Sequence, residues 1–207
     1  WLNTRDTHAD GEKAKYTDKA TNVYEEMSPL QTKSGAWETV LDIDNKKSSA
    51  TVKRSKMIVV ASLISQPPNL GGICRLCDVL GTELLIVSDI KIKNHPQFKK
   101  VAVTADKWMP IEQVSINNIG TFMKMKKREG YTLIGLEKTE YATPLNSEFK
   151  FPEKCVVLLG TEQRGIPGEL LIDLDMCLEI KQHGVSKIMN VQTAAAIVVN
   201  SYSLQHM

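Results

Sequence analysis

No stretch of this chain approaches the roughly 18 consecutive apolar residues of a membrane-crossing helix, and its first residues, Trp1-Leu-Asn-Thr-Arg-Asp, lack the charged-then-apolar layout of a secretory signal. There is no initiating Met, so the chain reads as a fragment of a longer one. Aromatic residues are scarce, at 6%, and neither sign of charge dominates, with 26 Lys/Arg against 24 Asp/Glu leaving +2. Cysteine is limited to Cys74, Cys77, Cys155 and Cys177, all in or beside apolar segments. That placement predicts reduced core thiols in a cytoplasmic protein rather than disulfides or a metal site. Two nucleotide signatures are missing too. Gly71-Gly72 falls inside or at the start of a helix, no G-x-G-x-x-G joins a strand to a helix, and no Walker lysine loop is present. A doubly wound NAD enzyme is therefore a poor fit.

What is present suits an ordinary globular protein, with 42% hydrophobic and 24% charged residues. A chain of 207 residues holds one good core plus an appendage. Residues 1–56 are rich in Lys, Asp, Thr and Ser with little apolar periodicity, and read as an extension or linker. A short helix is expected at Asp18–Met27 and a strand at Trp37–Ile43. From Met57 to the C-terminus the pattern changes to strand–helix alternation. Buried strands are predicted at Met57–Leu63, Leu84–Val87, Tyr131–Leu136, Cys155–Leu159 and Cys177–Ile180, with a weak edge strand at Met109–Val114. Helices are expected from Asn69 to Gly81, Pro96 to Asp106, Asn118 to Gly130, Pro167 to Leu174 and Asn190 to Ser203. Asn69 is read as a helix cap. Alternation of this kind implies an α/β fold, a parallel sheet with helices on both faces.

Three blocks stand at strand–helix junctions, where parallel sheets carry their ligands. They are Asn69-Leu-Gly-Gly-Ile-Cys-Arg75, Val157-Leu-Leu-Gly-Thr-Glu-Gln-Arg-Gly-Ile-Pro167, and Ile180 through Asn190-Val-Gln-Thr-Ala-Ala-Ala196. In the second block, glycines after a buried strand permit close backbone approach and expose main-chain groups to a ligand. Taken singly, each block has a plainer reading. Asn69 caps a helix, Arg75 makes a surface ion pair, Glu162 is a loop carboxylate, and Gly160 serves a turn.

Together, in this order and spacing, the blocks resemble the three signature motifs of the SpoU/TrmH branch of the SPOUT RNA methyltransferases. Within that branch they look closest to eukaryotic tRNA guanosine-18 ribose 2′-O-methyltransferases. The resemblance runs from about Met57 to the C-terminus and implies an α/β-knot fold with a deep C-terminal trefoil knot, and a homodimer. It implies S-adenosylmethionine as cofactor, held by Leu136, Leu159, Gly160, Thr161, Glu162, Gly165, Ile180, Met189, Asn190 and Ala194. It assigns Asn69, Arg75, Glu162 and Asn190 to the catalytic centre, with Arg75 near the ribose hydroxyl and Glu162 bracing its loop. No metal ligand set is implied. The chain departs from the bacterial members at Lys181, where they carry proline, and at Ile188, where they carry a hydroxyl donor.

Charge is unevenly distributed. From Lys91 to Arg128 there are nine Lys/Arg against two acids, and from Glu129 to Glu179 four against ten. A local basic band in a nearly neutral chain suggests a docked polyanion. With the family resemblance this becomes tRNA, contacted by Lys91, Lys93, Lys99, Lys124, Lys126, Lys127 and Arg128. The plainer reading is a solvated helix face at Lys124-Met-Lys-Lys-Arg128. Two other functions share the motifs: methylation of rRNA ribose, and an RNA-binding scaffold without chemistry, which Ile188 keeps open.

Overall fold

The computed structural model describes residues 52–186 and 188–207. The helix and strand expected at Asp18–Met27 and Trp37–Ile43 lie outside them.

Seven parallel strands form one sheet among the described residues. They are β1 (Met57–Val60), β2 (Leu84–Val87), β3 (Ile111–Gln113), β4 (Thr132–Leu136), β5 (Thr143–Pro144), β6 (Cys155–Leu159) and β7 (Met176–Glu179). Their spatial order is β3-β2-β1-β6-β4-β7-β5. The central runs Met57-Ile-Val-Val and Cys155-Val-Val-Leu-Leu are buried at every position, as expected where helices cover both faces. Edge positions go to the two poorest strand sequences, Ile111–Gln113 and the Thr143-Pro144 pair. Proline at position 144 is tolerated because an edge strand need not donate on both sides.

Five α-helices are described: α1 (Pro67–Val79), α2 (Pro96–Ala102), α3 (Ile119–Arg128), α4 (Gly168–Leu171) and α5 (Val191–His206). The two-residue period of the strands sorts them into two layers. Met57, Val59, Leu85, Val87, Val157 and Leu159 face α1, α2 and α5 through Ile73, Phe98, Val198 and Tyr202. Ile58, Val60, Ile86, Val156 and Leu158 face α3 and the α4 segment through Phe122, Met123 and Leu170. Consequently α2 and α3, neighbours in sequence, lie on opposite faces of the sheet.

α1 sits between α2 and α5, and its two glycines explain how. A Cβ on Gly71 would stand 2.5 Å from the Phe98 carbonyl oxygen, so α2's backbone lies directly against α1 there. On Gly72 it would stand 2.1 Å from Cδ of Gln192, whose side chain fills the space from α5. The glycines thus serve helix packing.

Several expected boundaries shift for local reasons. β1 ends at Val60, although Ala61–Ile64 stay buried. α1 starts two residues before Asn69: its cap is Gln66, and Pro67 and Pro68 open it, since neither has an amide to satisfy. Asn69 is therefore in the first turn and not the cap. The helix expected over Pro96–Asp106 breaks at Val103, whose φ of 61° no helix continues, and resumes as a 3₁₀ turn at Ala105–Lys107. Pro167 caps α4 instead of lying in its first turn. Arg54, assigned by sequence to the extension, is built into the domain, donating to Asp78 at 2.7 Å and to the Trp108 carbonyl at 3.0 Å.

Cys74 and Cys77 stand in C-x-x-C spacing within α1, a pattern that alone would suit zinc or redox chemistry. Both are fully buried, and burial pushes each thiol up to about 12. Neither is a thiolate at neutral pH, and they act as small apolar core residues.

Candidate functional site

A cavity of about 1110 Å³ opens at the carboxyl ends of β4, β6 and β7. All ten residues that the family resemblance assigned to the cofactor line it, from Leu136 to Ala194. So do Asn69, Glu162 and Asn190, three of the four assigned to catalysis.

The loop after β6 forms one wall. Thr161 and Gly165 pair as an antiparallel bridge, their amides donating to each other's carbonyls at 2.9 and 3.2 Å. The Thr161 hydroxyl accepts from the Arg164 amide at 2.9 Å and closes the turn. Gly165 has φ 71°, in the left-handed region that favours glycine. Gly160 needs its hydrogen for another reason: a Cβ there would stand 2.6 Å from the Gly165 carbonyl carbon. The two ends of the loop touch, and only glycine lets them.

Two carboxylates anchor this loop from opposite sides. Glu162 accepts from the Gln66 amide at 3.0 Å and the Ser65 amide at 3.2 Å, just ahead of α1. Partial burial works to raise its pKa. The amides of Gln66 and Ser65 and the Asn69 side chain outweigh that and hold it below the ordinary carboxylate range. Because Gln66's own side chain makes no capping bond, Glu162 supplies the acceptor at this helix start from 96 residues away. The second anchor, Glu137 at the end of β4, escaped the sequence reading. It accepts from the Ile166 amide at 2.8 Å, and its carboxylate occupies the space where a Cβ on Gly165 would be. Only an acid directly after a buried strand hinted at it, and that signal is too common to use.

The third block closes the cavity. Asn190 caps α5, its side-chain oxygen accepting from the Gln192 amide at 2.9 Å. Its Nδ2 donates to Asn69 Oδ1 at 3.1 Å, joining the first and third blocks across 121 residues. Val191 and Ala194 face the cavity, while Ala195, Val198 and Val199 are core. Ile188, on the loop before Asn190, is 86% exposed and lies at the mouth, with Lys138, Arg164, Lys181 and His183 around it.

Arg75 does not join them. Six residues beyond Asn69, it stands about 9 Å further along the axis and about 120° round the helix. It is exposed, is absent from the cavity wall, and makes no side-chain hydrogen bond or ion pair among the described residues. The surface ion pair that motif-free reasoning would give it is not formed.

The lysine band is likewise divided. Three of its four α3 cations are paired: Lys124 meets Asp173 at 3.6 Å, Lys126 meets Glu129 at 2.9 Å, and Lys127 meets Asp175 at 2.6 Å, while Arg128 at the helix end is exposed and has no ion pair among the described residues. Its other half follows β2 on the opposite face. The seven cations from Lys91 to Arg128 named in the sequence reading therefore form no single surface.

The model of the SpoU rRNA methylase family matches residues 56–200. This chain belongs to that family. The tRNA (guanosine(18)-2′-O)-methyltransferase of Saccharomyces cerevisiae is 61% identical over all 207 residues, a span that is 14% of its own length. The crystal structure of the Aquifex aeolicus TrmH/SpoU tRNA-modifying enzyme superposes with a TM-score of 0.69 at 21% identity, covering 80% of this chain and 84% of that one. The SpoU methyltransferase AviRb from Streptomyces viridochromogenes, in complex with the cofactor AdoMet, superposes at 0.61 with 20% identity, covering 73% and 58%. Family structures thus include ones that hold this cofactor, and the fold shared with them is the seven-stranded parallel α/β sheet.

Proposed function

We propose that this chain is the catalytic domain of a tRNA guanosine-18 ribose 2′-O-methyltransferase that uses S-adenosylmethionine. One observation carries the reading. Three sequence blocks spread over more than 120 residues are tied at one cavity by the Asn190–Asn69 bond and the Glu162 anchor. The similarity to the yeast enzyme names the substrate.

The cavity suits the cofactor. Its walls combine apolar side chains, Leu136, Leu159, Ile180 and Met189, with the exposed main chain of a glycine loop. Such a mixture suits an adenine ring and the aliphatic arms around the cofactor's sulfonium. When bound, S-adenosylmethionine supplies the methyl group. Asn69 and Asn190, locked to each other, orient groups at the rim beside α1 and α5. A ribose hydroxyl must lose its proton to become a nucleophile. Arginine stays protonated to a pH above about 12, so Arg75, which lies outside the cavity wall of its own chain, is assigned to the incoming RNA, as a clamp on the phosphate beside the target ribose and a stabiliser of negative charge on its oxygen. The proton then passes to the neighbouring phosphate or to water. Ile188 offers no hydroxyl, and the asparagine pair carries the polar contacts there.

The loops after β6 and β7 are taken to cross as a trefoil knot, as in the family. The chain is taken to pair as a homodimer through α5 and the adjoining face of α1. Exposed Val79, Ile197 and Leu204 support that assignment. Cytoplasmic action agrees with four unpaired cysteines.

The deciding experiment is incubation with labelled cofactor and total RNA, then nucleoside mass spectrometry of separated tRNA and rRNA, with ribonuclease fragment mapping to place the label. Label in 2′-O-methylguanosine at tRNA position 18 supports the proposal. Label confined to rRNA replaces the substrate, and no label in either gives the scaffold reading.

A further inference from the structure

The lysines between Lys91 and Lys127 include two groups that the structure treats in opposite ways. On α3, Lys124, Lys126 and Lys127 are spent within the protein on Asp173, Glu129 and Asp175. Lys126 also lies over the rings of Tyr131 and Phe122, at 5.5 and 5.7 Å, with only 16% of its side chain exposed. These contacts fasten α3 to the turn after α4 and to the start of β4. Releasing them to hold a phosphate would cost the interactions they already make.

The other group has no such ties. Lys91 and Lys93 stand on the 3₁₀ turn Ile90–Asn94, and Lys99 and Lys100 on α2. None of the four ammonium groups has an ion pair or hydrogen bond among the described residues. Between Ile90 and Lys107 there are five lysines and one acid. The nearest preceding acid, Asp89, turns its carboxylate onto the Lys91 amide at 2.9 Å to cap the turn. Position adds to charge. This segment leaves the carboxyl end of β2, the edge of the sheet at which the cavity opens. α2 packs backbone to helix on α1 at Gly71, and α1 also carries Asn69 and exposed Arg75.

We propose that the turn–α2 segment, with Lys91, Lys93, Lys99 and Lys100, is the surface that holds the RNA phosphate backbone and leads it to Arg75, and that the three acid-paired lysines of α3 take no part. This inference rests on the tRNA reading above. The lysines neutralise phosphate and position the strand without reading its sequence. The sheet itself separates them from the α3 group, so one RNA backbone does not use both.

The test compares Lys99→Glu/Lys100→Glu and Lys91→Glu/Lys93→Glu with Lys124→Gln/Lys127→Gln in the full chain. tRNA binding is measured between 50 and 200 mM salt, alongside affinity for S-adenosylhomocysteine and a circular-dichroism melt. Each lost phosphate contact lowers the slope of log affinity against log salt by about 0.7 to 0.9. Each charge-reversed pair should therefore flatten it by roughly 1.5 and weaken tRNA binding about tenfold or more at the higher salt. S-adenosylhomocysteine affinity should stay at the wild-type value. The α3 pair should keep the wild-type slope even if its melting temperature falls. The proposal is overturned if the turn–α2 variants retain wild-type slope and affinity, if the α3 pair shows the larger loss, or if the wild-type chain binds tRNA without salt dependence. A wild-type chain that methylates no tRNA sinks the substrate reading separately.

Discussion

At the scale of single residues, the site depends on what is missing from two glycines and on where two carboxylates point. Gly160→Ala sets a Cβ against the Gly165–Ile166 backbone, at 2.6 to 2.8 Å, so the loop must open. A folded Gly160→Ala protein is expected to lose at least tenfold in affinity for S-adenosylmethionine by calorimetry. Unchanged affinity would show that the loop is not the cofactor wall. Glu162→Gln keeps an acceptor but removes the charge that strengthens its bonds to Ser65 and Gln66. Such charge-assisted bonds at a half-buried site are worth about 1 kcal/mol, so cofactor affinity should fall about fivefold. Because the folded-state pKa of Glu162 is depressed, its contribution is complete above the ordinary carboxylate range and disappears as pH falls through the lower folded value. The wild type should therefore lose cofactor affinity only in acid below the ordinary carboxylate range, and Glu162→Gln should show a flatter profile there. Arg75→Ala should leave cofactor affinity intact while methyl transfer drops by roughly two to three orders of magnitude. Equal losses in both would make Arg75 a structural residue. Glu162 and Asn190 were legible because motif residues announced them. Glu137 was not, since its role depends on the space left by a glycine 28 residues further on.

At the scale of elements, the strands were readable wherever burial on both faces gave continuous Val, Ile and Leu runs. Cys155–Leu159 and Leu84–Val87 appear with the expected ends. Helix starts were harder. Asn69 has the right side chain for a cap, yet two prolines before it take the first turn and an acid distant in the chain serves the amides. A cap supplied across 96 residues has no local signal. The packing of α1 on α2 turns on one hydrogen atom: at Gly71 any side chain meets the Phe98 carbonyl. Gly71→Val should cost about 3 kcal/mol through overpacking and lower the melting temperature by about 6 °C or more. A calorimetric scan with an unshifted transition would mean that α2 moves away freely. Because α2 bears Lys99 and Lys100, the same variant should also alter tRNA binding more than cofactor binding.

At the scale of the molecule, the sheet decides which residues become neighbours. It sends α2 and α3 to opposite faces and so divides a basic band that is continuous in sequence. It also leaves Arg75 outside the cavity of its own chain and exposes Val79, Ile197 and Leu204 on α1 and α5. If these helices form the proposed dimer seam, sedimentation at micromolar concentration should show twice the chain mass. Leu204→Glu should shift the protein to monomer without unfolding it. A wild-type protein that sediments as a monomer at that concentration removes the seam.

The amino-acid order alone determined the alternation of strands and helices, the parallel sheet and the three blocks at its carboxyl edge. Each rests on a local cause: two-residue or 3.6-residue periodicity, and glycine or proline at junctions. Only the tertiary structure decided that Asn69 meets Asn190, that Glu162 serves α1, that Glu137 stands behind Gly165, and which lysines remain without acid partners. The first three are meetings between residues 28 to 121 apart in the chain. Their geometry follows from strand order and from which face each helix covers. Neither has a signature at the positions themselves, because pairing energies act between elements brought together by burial of the whole core.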